Sequence, residues 1–375
     1  MIGKKLCLVL LAGCLCPSLL FAQLPLNTGK LILSPHFFPG WQAQHVTHPF
    51  VMYEGTRGGY RMYYAGSSST QVNESLWDQW VTGVVTSQDA VNWKYPENYE
   101  QVLFATKLME GDVVDPEDQA KIFDSVFATD AIVLKDGSLY KCWYTGWNGE
   151  TRDTGGGVSD KINFRIGYAT SADGISWEEV KGSGGAGSVL GLGAKGESDE
   201  FAVEDPYVLK EDGTFKMWYV GYDGKNRRIH YAVSTDGVSW TKKGVAVDPG
   251  RRGQPDALGA CSPVVVRRSG KYELWYQGEG SGTQAFRVMR ATSADGKTWE
   301  KKGEVILHPE MPEPSGPWRS LSFTGKEKIA IGNIIVQPDN SCLIFYAKEF
   351  TASRKATYGN LTAPISYIFT ERVAP

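Results

Sequence analysis

Ser234-Thr-Asp-Gly-Val-Ser-Trp240 is one of four copies of a single phrase; the others are Ser87-Gln-Asp-Ala-Val-Asn-Trp93, Ser171-Ala-Asp-Gly-Ile-Ser-Trp177 and Ser293-Ala-Asp-Gly-Lys-Thr-Trp299. Asp-Gly marks a tight turn between strands, because glycine takes positive φ without steric cost. The tryptophan that follows is expected to pack the next strand. Upstream of each copy runs an apolar or alternating strand: Tyr60-Arg-Met-Tyr-Tyr-Ala-Gly66, Tyr140-Lys-Cys-Trp-Tyr-Thr-Gly146, Phe215-Lys-Met-Trp-Tyr-Val-Gly221 and Tyr272-Glu-Leu-Trp-Tyr-Gln-Gly278. Cys342-Leu-Ile-Phe-Tyr-Ala-Lys348 is a fifth copy without the glycine.

Another apolar strand precedes each of these, around Pro49, Ala131, Pro206, Pro263 and Ile334. Five units of at least three strands predict an all-β chain, a five-bladed β-propeller. The fourth strand of a unit follows its tryptophan, as in Gly244 to Pro249 and Gly303 to Pro309. The last unit has no such strand, and a matching phrase, Gly29-Lys-Leu-Ile-Leu-Ser-Pro35, stands near the other end of the chain. That N-terminal strand is expected to complete the last blade and remove an open sheet edge. Residues 23–375 read as one propeller domain.

Residues 1–22 read as a signal peptide, with Lys4 and Lys5 before the apolar run Leu6 to Leu11. Two cleavage sites compete: Leu11-Ala-Gly-Cys14 resembles a lipoprotein box that leaves a lipid anchor on Cys14, and Leu20-Phe-Ala22 resembles an ordinary signal-peptidase site. Either predicts an exported bacterial protein, whether periplasmic, secreted or held at the outer membrane. Only Cys142, Cys261 and Cys342 follow the leader, an odd and widely spaced set that argues against a disulfide framework or a zinc knuckle. In the repeat, Cys142 and Cys342 stand at strand positions of the core. A formal net charge of −3 over 375 residues, without long charge runs, excludes the electrostatic footprint of a nucleic-acid binder. No cofactor or metal is announced by any ligand spacing.

In a propeller the first strand of each blade lines the central channel, and the loops at one end form a pocket. The residues just before those strands are Thr47-His48, Thr129-Asp130, Glu204-Asp205, Cys261-Ser262 and Gly332-Asn333. Carboxylates buried together push each other's pKa values apart, so that one acts as acid while another stays a base. Cleavage of a glycosidic bond needs that division of labour. Asp130, Glu204 and Asp205 are therefore the candidate catalytic residues. Trp41, Trp77, Trp80, Trp147 and Trp318 fall outside the repeat and are candidates for stacking on sugar rings.

The chain resembles the five-bladed propeller superfamily of glycoside hydrolases that includes families 43, 62, 32, 68, 117 and 130. The resemblance covers nearly all of the chain after the leader. It implies a blade-one Asp before Pro as base or nucleophile, an assisting blade-two Asp, and a blade-three Glu two residues before Pro as general acid. Glu204-Asp205-Pro206 matches the third element, and Thr129-Asp130 resembles the Arg-Asp-Pro aspartate of family 32 more than the Ala-Pro-Asp of family 43. His48, in Thr47-His48-Pro49, replaces the first aspartate. An imidazole there serves as a general base, orients a water, or binds a sugar hydroxyl or an ion.

The resemblance thus implies a carbohydrate substrate, furanosides among the candidates, with Glu204 as acid, Asp130 or Asp205 as base or pKa modulator, and His48 as their partner. His45, Trp41, Ser262, Asn333, Trp147, Trp318 and Arg319 are the candidate substrate-binding residues. Two other functions fit the same residues. One is a noncatalytic carbohydrate-binding propeller, in which the missing blade-one aspartate has abolished hydrolysis. The other is a phosphorylase, which needs a basic cluster near the acid, with Arg227, Arg228 and Arg319 to supply it.

Overall fold

The computed structural model describes residues 29–35, 45–67, 80–97, 122–149, 163–280, 286–305, 322–356 and 359–373. The leader with Cys14, and Trp41, Trp77, Trp318 and Arg319, lie outside the described residues. Among the described residues, apart from one helical turn, Gly55–Gly58, the regular elements are strands.

The chain runs as successive antiparallel meanders. β1 (Lys30–Leu33) precedes the first, which comprises β2 (His45–Tyr53), β3 (Tyr60–Ser67) and β4 (Val81–Ser87). The second comprises β5 (Phe127–Asp136), β6 (Leu139–Trp147), β7 (Arg165–Ser171) and β8 (Glu178–Glu179). The third comprises β9 (Ala202–Glu211), β10 (Thr214–Tyr222), β11 (Arg227–Ser234) and β12 (Thr241–Val247). The fourth comprises β13 (Gly259–Arg268), β14 (Lys271–Glu279), β15 (Phe286–Ser293) and β16 (Glu300–Val305). The last comprises β17 (Ser322–Val336), β18 (Cys342–Ala356) and β19 (Gly359–Val373). β1 pairs with β19, so the N-terminal strand completes the last sheet.

Single parallel pairs, Val81 with Ala128 and Arg227 with Gly259, merge neighbouring meanders into sheets of seven and eight strands. The first strands β2, β5, β9, β13 and β17 each touch the next, and β17 touches β2. These strands therefore gather the chain's scattered polar residues around one axis.

The repeated phrase joins neighbouring meanders. In the third, Asp236 Oδ1 accepts the backbone N–H groups of Val238 and Ser239 at 2.8 and 2.7 Å, which closes the turn. Gly237 then presents its carbonyl to Trp143 Nε1 of the preceding meander at 2.8 Å. Gly296 does the same for Trp218 at 2.8 Å, and Gly174 for the Tyr63 hydroxyl at 3.0 Å. Glycine is required at Gly237 twice over, because φ is +82° and a Cβ would sit 2.8 Å from the Trp143 ring.

The tryptophan of the phrase packs differently from the sequence expectation. Trp240 stands edge-on to Trp143, Trp299 to Trp218 and Trp177 to Tyr63, each across the boundary with the preceding meander. The turn carbonyl and the ring thus dock on the same aromatic. Cys142 and Cys342 are buried among apolar side chains of the core, in the places of Met or Leu and of an aromatic ring.

Candidate active site

Four of the residues singled out above share one backbone feature. His48, Asp130, Asp205 and Ser262 have φ of +45°, +55°, +48° and +46°, in the left-handed region that non-glycine residues enter at a cost of about 1–2 kcal/mol. Each lies in a bulge of its first strand, between the ladder pairs Thr47–Ala65 and Phe50–Tyr63, and their counterparts in β5, β9 and β13. A bulge with positive φ re-aims a side chain that would otherwise follow the pleat. Strain repeated at four equivalent positions marks a site where conformation has been subordinated to function.

The four side chains form an arc. His48 Nδ1 lies 3.4 Å from Asp130 Oδ1. Asp130 and Asp205 in turn bring oxygens within 4.8 Å of each other. Asp205 Oδ2 accepts both the hydroxyl and the backbone N–H of Ser262, at 2.9 and 3.2 Å. Beside the arc, Glu204 Oε1 accepts Arg227 Nε at 2.8 Å, and Arg227 Nη1 lies 3.5 Å from Glu279 Oε1. These residues line a cavity of about 330 Å³, within the range of small-ligand sites. Trp80, Phe286 and Lys328 contribute to its walls.

Electrostatics follow from this crowding. Burial pushes the Asp205 carboxyl up to about 6, and the neighbouring Asp130 charge adds to the rise, while His48 and the Ser262 hydroxyl oppose it. Burial also raises Glu204, against the pull of Arg227. Glu204 in turn holds the guanidinium of Arg227 firmly charged. Burial raises the Cys261 thiol well above its ordinary value, so this wall residue is an unreactive thiol. His48, Asp130 and Asp205 each offer an atom within 4.8 Å of the others, a spacing that also suits a cation.

Three expectations need correction. Asn333 does not stand in the arc: Phe50, Ile132, Tyr207 and Val264 pair opposite Tyr63, Trp143, Trp218 and Trp275, and Asn333 pairs opposite Phe345 in the same register. Ile331 therefore corresponds to His48, and the Asn333 amide is spent on Val51 O at 2.5 Å and the Tyr207 hydroxyl at 3.0 Å. Trp147 is 1% exposed, with Phe127 and Phe164 packed around it, so neither face is open to a sugar. His45 is buried behind Trp80, 5.1 Å between rings, and bonds Ser366 Oγ at 3.0 Å; it supports the wall and does not face the cavity.

Sequence reasoning missed Glu279, Phe286, Lys328 and Glu349, which all line the cavity. Their signal was weak. Glu279 is the residue after the strand-ending glycine of β14, where the equivalent residues are Ser67, Trp147 and Tyr222.

Residues 126–249, about a third of the chain, match the family described as beta-1,4-mannooligosaccharide phosphorylase, glycoside hydrolase family 130. An uncharacterized protein of Mycobacterium tuberculosis is 31% identical over 191 residues, 49% of this chain and 57% of that one. The chain thus spans little more than half the length of that relative. A 1,2-beta-oligomannan phosphorylase of Thermoanaerobacter is 31% identical over 120 residues, 31% of this chain and 36% of that one. Among solved structures, one from work on mannoside phosphorylases and β-1,2-mannoside hydrolases of family 130 superposes with a TM-score of 0.58 at 16% identity, covering 91% of this chain and 93% of that one. The β-fructofuranosidase of Bombyx mori, from family 32, gives 0.54 at 14% identity over 92% and 67%. Residues 126–249 thus resemble family 130, and over most of its length the chain shares the fold of solved glycosidases of families 130, 32 and 43, with the member family not resolved.

Proposed function

We propose that this protein is an exported glycoside hydrolase on a five-bladed propeller, cleaving β-mannosidic bonds in oligosaccharides. The observation that carries the reading is the convergence of Asp130, Glu204 and Asp205 on one cavity, two of them with carboxyls raised by burial. Mannosides take precedence over the furanosides implied by the wider superfamily, because the sequence relatives with named activities are mannoside phosphorylases.

The roles follow from spacing and charge. Asp130 and Asp205 each bring an oxygen within 4.8 Å of the other, so the charge of Asp130 bears directly on the Asp205 carboxyl. Asp205 is therefore the acid, its carboxyl raised by burial and by the charge of Asp130 beside it. It protonates the leaving oxygen. Glu204, positioned by Arg227, is the second carboxyl, which activates a water or stabilises the developing positive charge on the sugar. This exchanges the roles expected from the resemblance, in which Glu204 was the acid.

Hydrolysis is favoured over phosphorolysis by the charge of the described walls. Asp130, Glu204, Asp205, Glu279 and Glu349 outnumber Arg227 and Lys328. Both cations are already paired, Arg227 with Glu204 and Glu279, and Lys328 with Glu349 at 2.8 Å. Arg228 points elsewhere, to Asp223 and Asp248. A phosphate dianion gains little in such a cavity.

The deciding experiment incubates the full chain with β-1,2-mannobiose, with and without inorganic phosphate. Free mannose released at a phosphate-independent rate supports the proposal. Mannose phosphate as product points to phosphorolysis, and binding of mannobiose without any cleavage points to the noncatalytic module.

A further inference from the structure

The third and fourth meanders contain the same triad, a buried aspartate and tyrosine with a partly exposed lysine. Tyr219 donates to Asp199 Oδ2 at 2.9 Å, and Lys242 Nζ reaches that oxygen at 2.7 Å. Tyr276 donates to Asp256 Oδ2 at 2.8 Å, and Lys301 Nζ reaches it at 2.6 Å. In each case the aspartate stands twenty residues before the tyrosine, and the lysine lies on the outermost strand.

The second meander keeps two members and inverts the third. Tyr144 donates to Asp124 Oδ2 at 2.6 Å, again twenty residues apart. Glu179 occupies the lysine's place: it pairs with Ala169 on β7 as Lys242 pairs with Ala232 on β11 and Lys301 with Ala291 on β15. A cavity of about 300 Å³ opens at this point. The outermost strand β8 has two residues, against seven in β12 and six in β16.

Among the described residues, the groups that face Asp124 are Tyr144 from β6, Tyr168 from β7, the exposed Glu179 from β8, and the exposed Lys181 just beyond it. Both tyrosine hydroxyls are raised by burial and stay neutral. Burial and the charge of Glu179 push the Asp124 carboxyl up to about 7. The raised value means that the folded state favours the protonated form. Stabilisation is therefore complete well below neutrality and is lost as pH rises through that value.

We propose that a proton replaces the missing lysine in the second meander, holding β8 against Asp124 in acid and releasing it as the pH rises past neutrality. The device is independent of the activity proposed above.

The test is thermal unfolding of the full chain and of Glu179→Lys across pH 5 to 8.5. Restoring the lysine should raise the melting temperature at pH 8 by roughly 2–4 °C, with a smaller gain at pH 5. Taking the difference between the two proteins cancels the titration of groups remote from residue 179. Asp124→Asn, which removes the titrating proton and keeps the shape, should likewise lose part of the alkaline decline. Hydrogen exchange over residues 178–190 of the wild type should show opening that grows with pH beyond the intrinsic rate. A Glu179→Lys difference that is flat or falls with pH, or an Asp124→Asn decline parallel to wild type, overturns the proposal.

Discussion

Ser262 gives both its hydroxyl and its backbone N–H to the same oxygen of Asp205, at 2.9 and 3.2 Å. Both bonds favour the ionised carboxylate, yet Asp205 is raised to about 6 by burial and by Asp130. The serine therefore limits how far the Asp205 carboxyl rises and fixes where it points, and in the proposed reaction it acts through Asp205.

Ser262→Ala removes the hydroxyl bond and leaves the N–H bond in place. The acid then loses part of what favours its charged form, so its pKa rises further. In the proposed mechanism the protonated form is the active one, so the alkaline limb of the kcat/KM profile should move to higher pH by about 0.5–1 unit. A limb that stays in place or moves down rejects Asp205 as the acid.

Asp205→Asn and Glu204→Gln separate the two carboxyl roles. An acid is needed most when the leaving group is poor, so Asp205→Asn should slow mannobiose cleavage by ~10²–10⁴-fold and an aryl mannoside much less. Glu204→Gln should slow both substrates alike. Parallel losses in both variants on both substrates contradict the assignment.

The same raised carboxyl has a stability cost. Asp205 favours its proton in the folded state, so its contribution is full below the ordinary aspartate range and is lost as pH rises through about 6. Asp205→Asn should accordingly be more stable than wild type at pH 8, by about 1–3 kcal/mol, with a smaller gain at pH 4. Urea unfolding at the two pH values measures it, and equal differences at both would exclude the linkage.

Gly332 lies where β17 meets the first meander. A Cβ there would stand 2.3 Å from Pro49 O and 2.4 Å from Pro49 Cδ. Gly332→Ala should therefore cost roughly 1–3 kcal/mol, since backbone must yield to make room. Differential scanning calorimetry reads this directly, and an unchanged melting temperature removes the close approach as a constraint.

Much of this molecule was legible along the chain. The Ser-x-Asp-Gly turn is closed by bonds within five residues, so its sequence carries its shape, and the strands that repeat before it carry theirs by apolar pattern. His48, Asp130, Asp205 and Ser262 were recognisable as polar residues ahead of Pro49, Ala131, Pro206 and Pro263. Without such a proline or alanine, the last unit misled by two residues: Gly332-Asn333 resembles the phrase, but the ladder opposite Phe345 makes Ile331 the counterpart of His48. Trp147 read as a free aromatic because its burial depends on Phe127 and Phe164, the latter outside any repeat.

Local turn chemistry and strand periodicity are properties of neighbouring residues, and the sequence by itself determined them. Which carboxyl pairs with Arg227, which lies against a neighbouring carboxyl, and where Glu179 faces Asp124 depend on register and on how the meanders close upon each other. Those are contacts between residues far apart in the chain, whose free energies exist only once the sheets have been brought together, and only the tertiary structure decided them.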